Sequence, residues 1–252
     1  MSSDRRFGGV ARLVGQTGAN RIREAHVAVV GIGGVGSWVA EALARSGVGQ
    51  LTLIDFDNVA ESNINRQIHA TDTSLGQAKV DAMRDRIYTF HPACQVNCIE
   101  SFVEPNNWPG ILPAGVDAIV DACDQVNAKL AMAAWSMASK RIFVTVGAAG
   151  GKRQAHLVSV ADLTEVTHDP LLAKMRYRLR KERGAARDGK KIGVSSVFSR
   201  EAVAPPDASC ALVGDGSLNC HGYGSLVTVT ATFGQCAAGE ILNRLASQEK
   251  KT

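Results

Sequence analysis

The chain has no pair of cysteines at Cys-x-x-Cys spacing, although it carries Cys94, Cys98, Cys123, Cys210, Cys220 and Cys236. A zinc ribbon is thereby excluded, and these thiols are too sparse in 252 residues for a disulfide framework. No stretch is apolar enough for a membrane span. The nearest, Leu226 to Ile241, is interrupted by Thr228, Thr230, Thr232, Gln235 and Glu240 and reads as a buried strand or helix. The opening residues, with Asp4, Arg5, Arg6, Gly8 and Gly9, lack the apolar core of a signal peptide. Internal repeats and low-complexity tracts are absent. The expected setting is cytoplasmic, with no membrane partner. Charge of one sign is also scarce overall: the net +4 permits an anionic partner without requiring one.

What is present begins with length enough for one large α/β domain or two small ones. His26-Val27-Ala28-Val29-Val30 reads as a buried strand, followed by a glycine turn over Gly31, Gly33, Gly34 and Gly36 and a helical run to Arg45. A second apolar run, Leu51 to Ile54, ends on Asp55. Strand, turn, helix, strand and acid make the first unit of a nucleotide-binding fold. Backbone N–H groups of the turn can approach phosphate, and Asp55 is placed for a ribose. Alone, this unit equally suits an NAD-dependent oxidoreductase. The residues beyond it do not: Asp57, Asn58, Asn63, Arg66 and Gln67 exceed what a dehydrogenase needs. They suit a triphosphate, with an Arg fork for phosphate oxygens and carboxylates for magnesium.

Further along, the pattern predicts a helix from Thr73 to Phe90 bearing Lys79, and a strand from Gln95 to Ile99. An apolar strand over 116–124 ends in Asp121 and Asp124, and a helix follows from Val126. Ile142 to Val146 is another core strand, and His156 to Val160 alternates like a strand. The fold expected is α/β, a Rossmann-like, mainly parallel sheet with antiparallel strands added in the C-terminal half. Ligands in such sheets bind beyond the carboxyl ends of the strands, so Asp121 and Asp124 face the same crevice as Gly34 and Asp55. Asp121 reads equally well as a turn or cap residue. Near Asp169-Pro170-Leu171 a basic helix over 170–191 begins, with Arg176, Arg178, Arg180 and Lys181 as candidate contacts for a phosphate backbone.

The glycine turn, Asp55-x-Asp57, Asn63-x-x-Arg66-Gln67 and Lys79 together resemble the adenylation domain of the ubiquitin-activating-enzyme superfamily. The resemblance implies a single adenylation domain over 1–252. It comprises an N-terminal helical segment (1–25), a nucleotide-binding half (26–150) and a substrate and dimer half (151–252). It implies an ATP site built from Gly31, Gly33, Gly34, Gly36, Asp55, Asp57, Asn63, Arg66, Gln67 and Lys79. Asp124 would be the magnesium ligand, with Arg66, Lys79 and Asp124 carrying the chemistry. An N-terminal Arg, Arg12 or Arg6, would reach a partner subunit's site in a homodimer. The segments Arg6-Phe7-Gly8-Gly9, Asp169-Pro170-Leu171 and Gly193 to Val203 resemble the tRNA threonylcarbamoyladenosine dehydratase branch. That branch implies ATP-dependent cyclisation of the modified adenosine beside the anticodon, through an acyl adenylate, with sulfur-transfer proteins as further partners. The alternative within the superfamily is activation of a ubiquitin-like sulfur carrier, in which Cys210 or Cys220 would matter.

Overall fold

The computed structural model describes residues 5–187, 189–207, 209 and 223–247. Five strands run parallel: β1 (His26–Val30), β2 (Gln50–Ile54), β3 (Gln95–Ile99), β4 (Ala118–Asp121) and β5 (Ile142–Val146). The edge strand β6 (Val158–Asp162) pairs antiparallel with β7 (Ser195–Ser199), which is itself parallel to β5. The sheet order is β3-β2-β1-β4-β5-β7-β6. The antiparallel part of the expected sheet is thus the single edge strand β6.

Every residue of β1 and β5 is buried, as parallel strands covered on both faces require. On one face Val27, Val29, Leu51 and Leu53 join a core that includes residues from α1 (Gly8–Glu24), α2 (Gly36–Arg45), α3 (Lys79–Tyr88) and α6 (Val227–Ser247). On the other, Ala28, Val30, Ile119 and Phe143 meet α4 (Val126–Ser139) and α5 (Pro170–Glu182). The Leu226–Ile241 stretch is accordingly almost all helix, buried through Val229, Phe233, Ala237 and Ile241. No helix among the described residues is long and apolar enough to cross a membrane.

Several boundaries differ from the sequence pattern: the strand expected over 116–124 is Ala118–Asp121, and that expected from His156 to Val160 is Val158–Asp162, after a short 3-10 turn over Ala155–Leu157. The N-terminal segment is helical from Gly8, with a break at Gly15, whose φ of 75° only glycine adopts freely. The helix expected from Thr73 starts at Lys79, because the chain over 76–79 pairs instead with the loop after β2: Gly76 N donates to the Val59 carbonyl and Lys79 N to that of Asp57. The basic helix stops at Glu182, with Gly184 in the left-handed region (φ 64°) just past its end.

From β1 the chain moves outward through β2 and β3, then returns to place β4 on the other side of β1. That reversal opens a crevice at the carboxyl ends of β1 and β4.

Candidate nucleotide site

The crevice is shaped by two turns in contact. Gly31 leaves β1 with φ 86°, and a Cβ there would lie 2.9 Å from the Ala122 backbone in the turn that leaves β4. At Gly36 a Cβ would collide with the Gly31 carbonyl oxygen. Both glycines are required by close approach, so the turn folds tightly into α2. That helix begins without a side-chain cap; Ser37 N donates to the Gly33 carbonyl and Trp38 N and Val39 N to that of Val35, so the glycine turn itself closes the first turn, and the positive end of the helix dipole lies at the crevice.

Asp55, at the end of β2, clamps the turn: its carboxylate accepts from Ile32 N at 2.6 Å and from Asp57 N at 2.9 Å. Burial raises its pKa above the ordinary carboxylate value, against the opposing field of Lys79. Lys79 is buried and pairs with Asp57 at 2.7 Å. The two carboxylates and the ammonium therefore form one cluster, assembled from β2 and the start of α3.

Arg66 lies over the glycine turn. A Cβ on Gly34 would come within 3.2 Å of its side chain. Its Nη1 donates to the Ser62 carbonyl (2.6 Å) and Asn65 Oδ1 (2.9 Å), while Trp38 Nε1 donates to its carbonyl at 3.0 Å. Asn63 is buried, and its Oδ1 accepts from Ala60 N, which shapes the turn that presents Arg66 and Gln67. Three buried polar atoms here have no protein partner: Ser37 Oγ, Arg66 Nε and Gln67 Oε1. Orphaned donors and acceptors beside a glycine turn and an uncapped helix suit a polyanionic polar ligand.

Asp124 stands across the crevice on the β4 turn, exposed, with Gln125 Nε2 at 3.3 Å from its carboxylate. Asp121 is placed differently. Its side chain is wholly buried, accepting from Thr145 Oγ1 (2.6 Å) and paired with the equally buried Lys129 (3.1 Å). Lys129 Nζ also donates to the Val146 carbonyl at 2.7 Å, so the pair ties the ends of β4 and β5 beneath the crevice. Of the two readings open for Asp121, this is a structural one. Among the described residues no three His, Cys, Asp or Glu gather as a metal cage. A lone exposed carboxylate fits magnesium carried in with phosphates.

Sequence reasoning passed over His69, two residues beyond Gln67. It is buried with neither ring nitrogen bonded, and burial with the fields of Lys79 and Arg86 lowers its pKa from 6.5 to about 4. Its place in the run Arg66-Gln67-Ile68-His69 was the available signal. Because the folded ring holds its proton less firmly, the unfolded chain binds more protons between pH 6.5 and pH 4. The stability His69 contributes is complete above that window and is lost as pH falls through it, by about 3 kcal/mol. Urea unfolding at pH 7 and pH 4 should show that much less acid sensitivity in His69→Gln than in the parent. Equal sensitivity would remove His69 as the cause.

Two other predicted groups stand apart. Phe7 packs edge-on against His91 and lies over Gly47, at the amino edge of the sheet. The segment bearing Arg6 is therefore at the opposite edge from the crevice, and Arg12 follows on an exposed turn of α1. On α5, Arg176 donates to the Leu163 and Val166 carbonyls, and Arg180 to that of Ala186. Arg178 pairs with Glu182 at 2.7 Å and reaches Asn127, three residues past Asp124, at 2.6 Å. Lys181 is exposed. Cys210 and Cys220 lie outside the described residues.

Sheet, switch point and polar cluster together define an α/β protein whose β1–β4 crevice fits a nucleoside phosphate. The ThiF family profile matches residues 8–252, and the chain belongs to that family. It is 42% identical to the tRNA threonylcarbamoyladenosine dehydratase of Escherichia coli strain K12, over 96% of this chain and 94% of that one. To the protein of the same name from Haemophilus influenzae it is 39% identical, over 98% and 95%. The crystal structure of the E. coli dehydratase, TcdA, in complex with ATP superposes with a TM-score of 0.87 at 41% identity, covering 97% of this chain and 96% of that one.

Proposed function

We propose that the protein is the ATP-dependent enzyme that dehydrates N6-threonylcarbamoyladenosine beside the tRNA anticodon. What carries the reading is near full-length similarity to dehydratases of that name, combined with the intact cluster of Asp55, Asp57, Arg66 and Lys79 around the glycine turn. The threonyl carboxylate of the modified base attacks the α-phosphate and pyrophosphate leaves. The carbamoyl group then closes on the activated carbonyl and AMP departs, so one water is lost overall.

The glycine turn and the α2 N-terminus hold phosphate, Asp55 the ribose, and Arg66 and Lys79 neutralise charge developing on phosphate oxygens. Asp124 would hold magnesium, which adds charge neutralisation on the triphosphate. Lys181 and other exposed cations of α5 and the loop after it face the tRNA, with the half-buried Arg178 beside them. A homodimer, with Arg12 or Arg6 completing the partner's site, and attendant sulfur-transfer proteins are parts of the same proposal.

Incubation with ATP and threonylcarbamoyl-modified tRNA should form AMP and a nucleoside lighter by one water, read by mass spectrometry. AMP formation that requires a small carrier protein and leaves the nucleoside unchanged would move the function to carrier activation.

A further inference from the structure

One face of α5 is packed into the core through Leu172, Met175 and Leu179. The opposite face presents Lys174, Tyr177, Arg178 and Lys181, which helical spacing (i, i+3, i+4, i+7) gathers into one stripe. At its centre Tyr177 is 62% exposed, an unusual position for a large ring in a helix that buries Leu171, Leu172, Met175 and Leu179. Lys181 Nζ lies 5.8 Å from the ring centroid, and Lys174 is exposed one turn before it. The stripe adjoins the crevice, because the neighbouring Arg178 bonds Asn127 at the start of α4, just past Asp124.

An exposed aromatic ring, with Lys181 over it and Lys174 three residues before it in the helix, suits an unpaired nucleotide. The base stacks on the ring while the lysines contact the flanking phosphates. We propose that Tyr177 is a stacking platform for an unpaired base in the tRNA loop that carries the modified adenosine, with Lys174 and Lys181 as phosphate contacts beside it. This rests on the tRNA reading above and adds to it a residue that neither charge nor the nucleotide motif singles out.

The test uses the full chain and an anticodon stem-loop RNA with 2-aminopurine in place of the loop base next to the modified adenosine. The parent protein should bind it and quench its fluorescence. Tyr177→Ala should bind about tenfold more weakly and lose the quench, whereas Tyr177→Trp keeps both. Lys174→Ala with Lys181→Ala should flatten the salt dependence of binding instead. ATP binding, measured separately, should be the same in all of them. If Tyr177→Ala binds within twofold of the parent with full quenching, the platform is wrong and the tRNA reading stands. If the parent itself fails to bind the stem-loop, the tRNA reading falls and the platform with it.

Discussion

Lys79→Ala is expected to lower pyrophosphate release with modified tRNA by about three orders of magnitude while leaving a folded protein. Lys79 is the cation of a compact cluster: it is buried, bonds Asp57 at 2.7 Å, and its field opposes the rise that burial gives the Asp55 pKa. Its removal leaves two carboxylates beside the place where phosphate charge must be held, so the loss exceeds that of one hydrogen bond. The same clustering predicts that Lys79→Arg recovers only part of the activity, since a wider, planar head cannot occupy the same buried position. Single-turnover AMP formation at saturating ATP, with the thermal midpoint recorded in parallel, separates this from unfolding. Release within tenfold of the parent would take Lys79 out of the chemistry.

Lys129→Met is expected to destabilise the fold by roughly 3–5 kcal/mol, because it strands the Asp121 carboxylate in a site with no exposure. For a chain of this size the midpoint should fall on the order of 10 °C. Lys129→Met with Asp121→Leu should recover most of that loss, since a buried ion pair is worth little over a packed apolar pair of similar volume. A single variant within 1–2 °C of the parent, on the same scale, would show that the pair is not electrostatically coupled. The pair is unlike Asp57–Lys79, where Asp57 is half exposed and facing the crevice. Lys129 and Asp121 instead hold β4 to β5 from below, so the expected defect is in stability first.

The strand, glycine turn, helix and strand over 26–55 were legible residue by residue. The apolar run 26–30, the glycines and Asp55 are local signals: two strands, a turn that only glycine allows, and a helix between them. Their tertiary arrangement follows almost without choice from the right-handed crossover that parallel strands demand. The positions of β3, β4 and β5 were similarly set by short apolar runs. What misled was periodicity over 73–90, where Leu75 and Ala78 fit a helix but the backbone of 76–79 finds its hydrogen bonds on 57–59. Those bonds link segments some twenty residues apart and leave no periodic trace, yet they bring Lys79 to Asp57.

The same limit applies to charge. The sequence determined that this chain carries a strand, glycine turn and helix unit and a basic helix, since residue types and spacing within one segment encode both. Only the tertiary structure decided which charges are available for a ligand. It buried Asp121 against Lys129 while leaving Asp124 exposed three residues later, and it gave Arg176 and Arg180 to carbonyls of their own chain. It also left the ring of Tyr177 largely in solvent, with Lys181 over it. A formal charge is a property of the residue, but its freedom to meet a phosphate depends on every donor and acceptor that folding brings beside it.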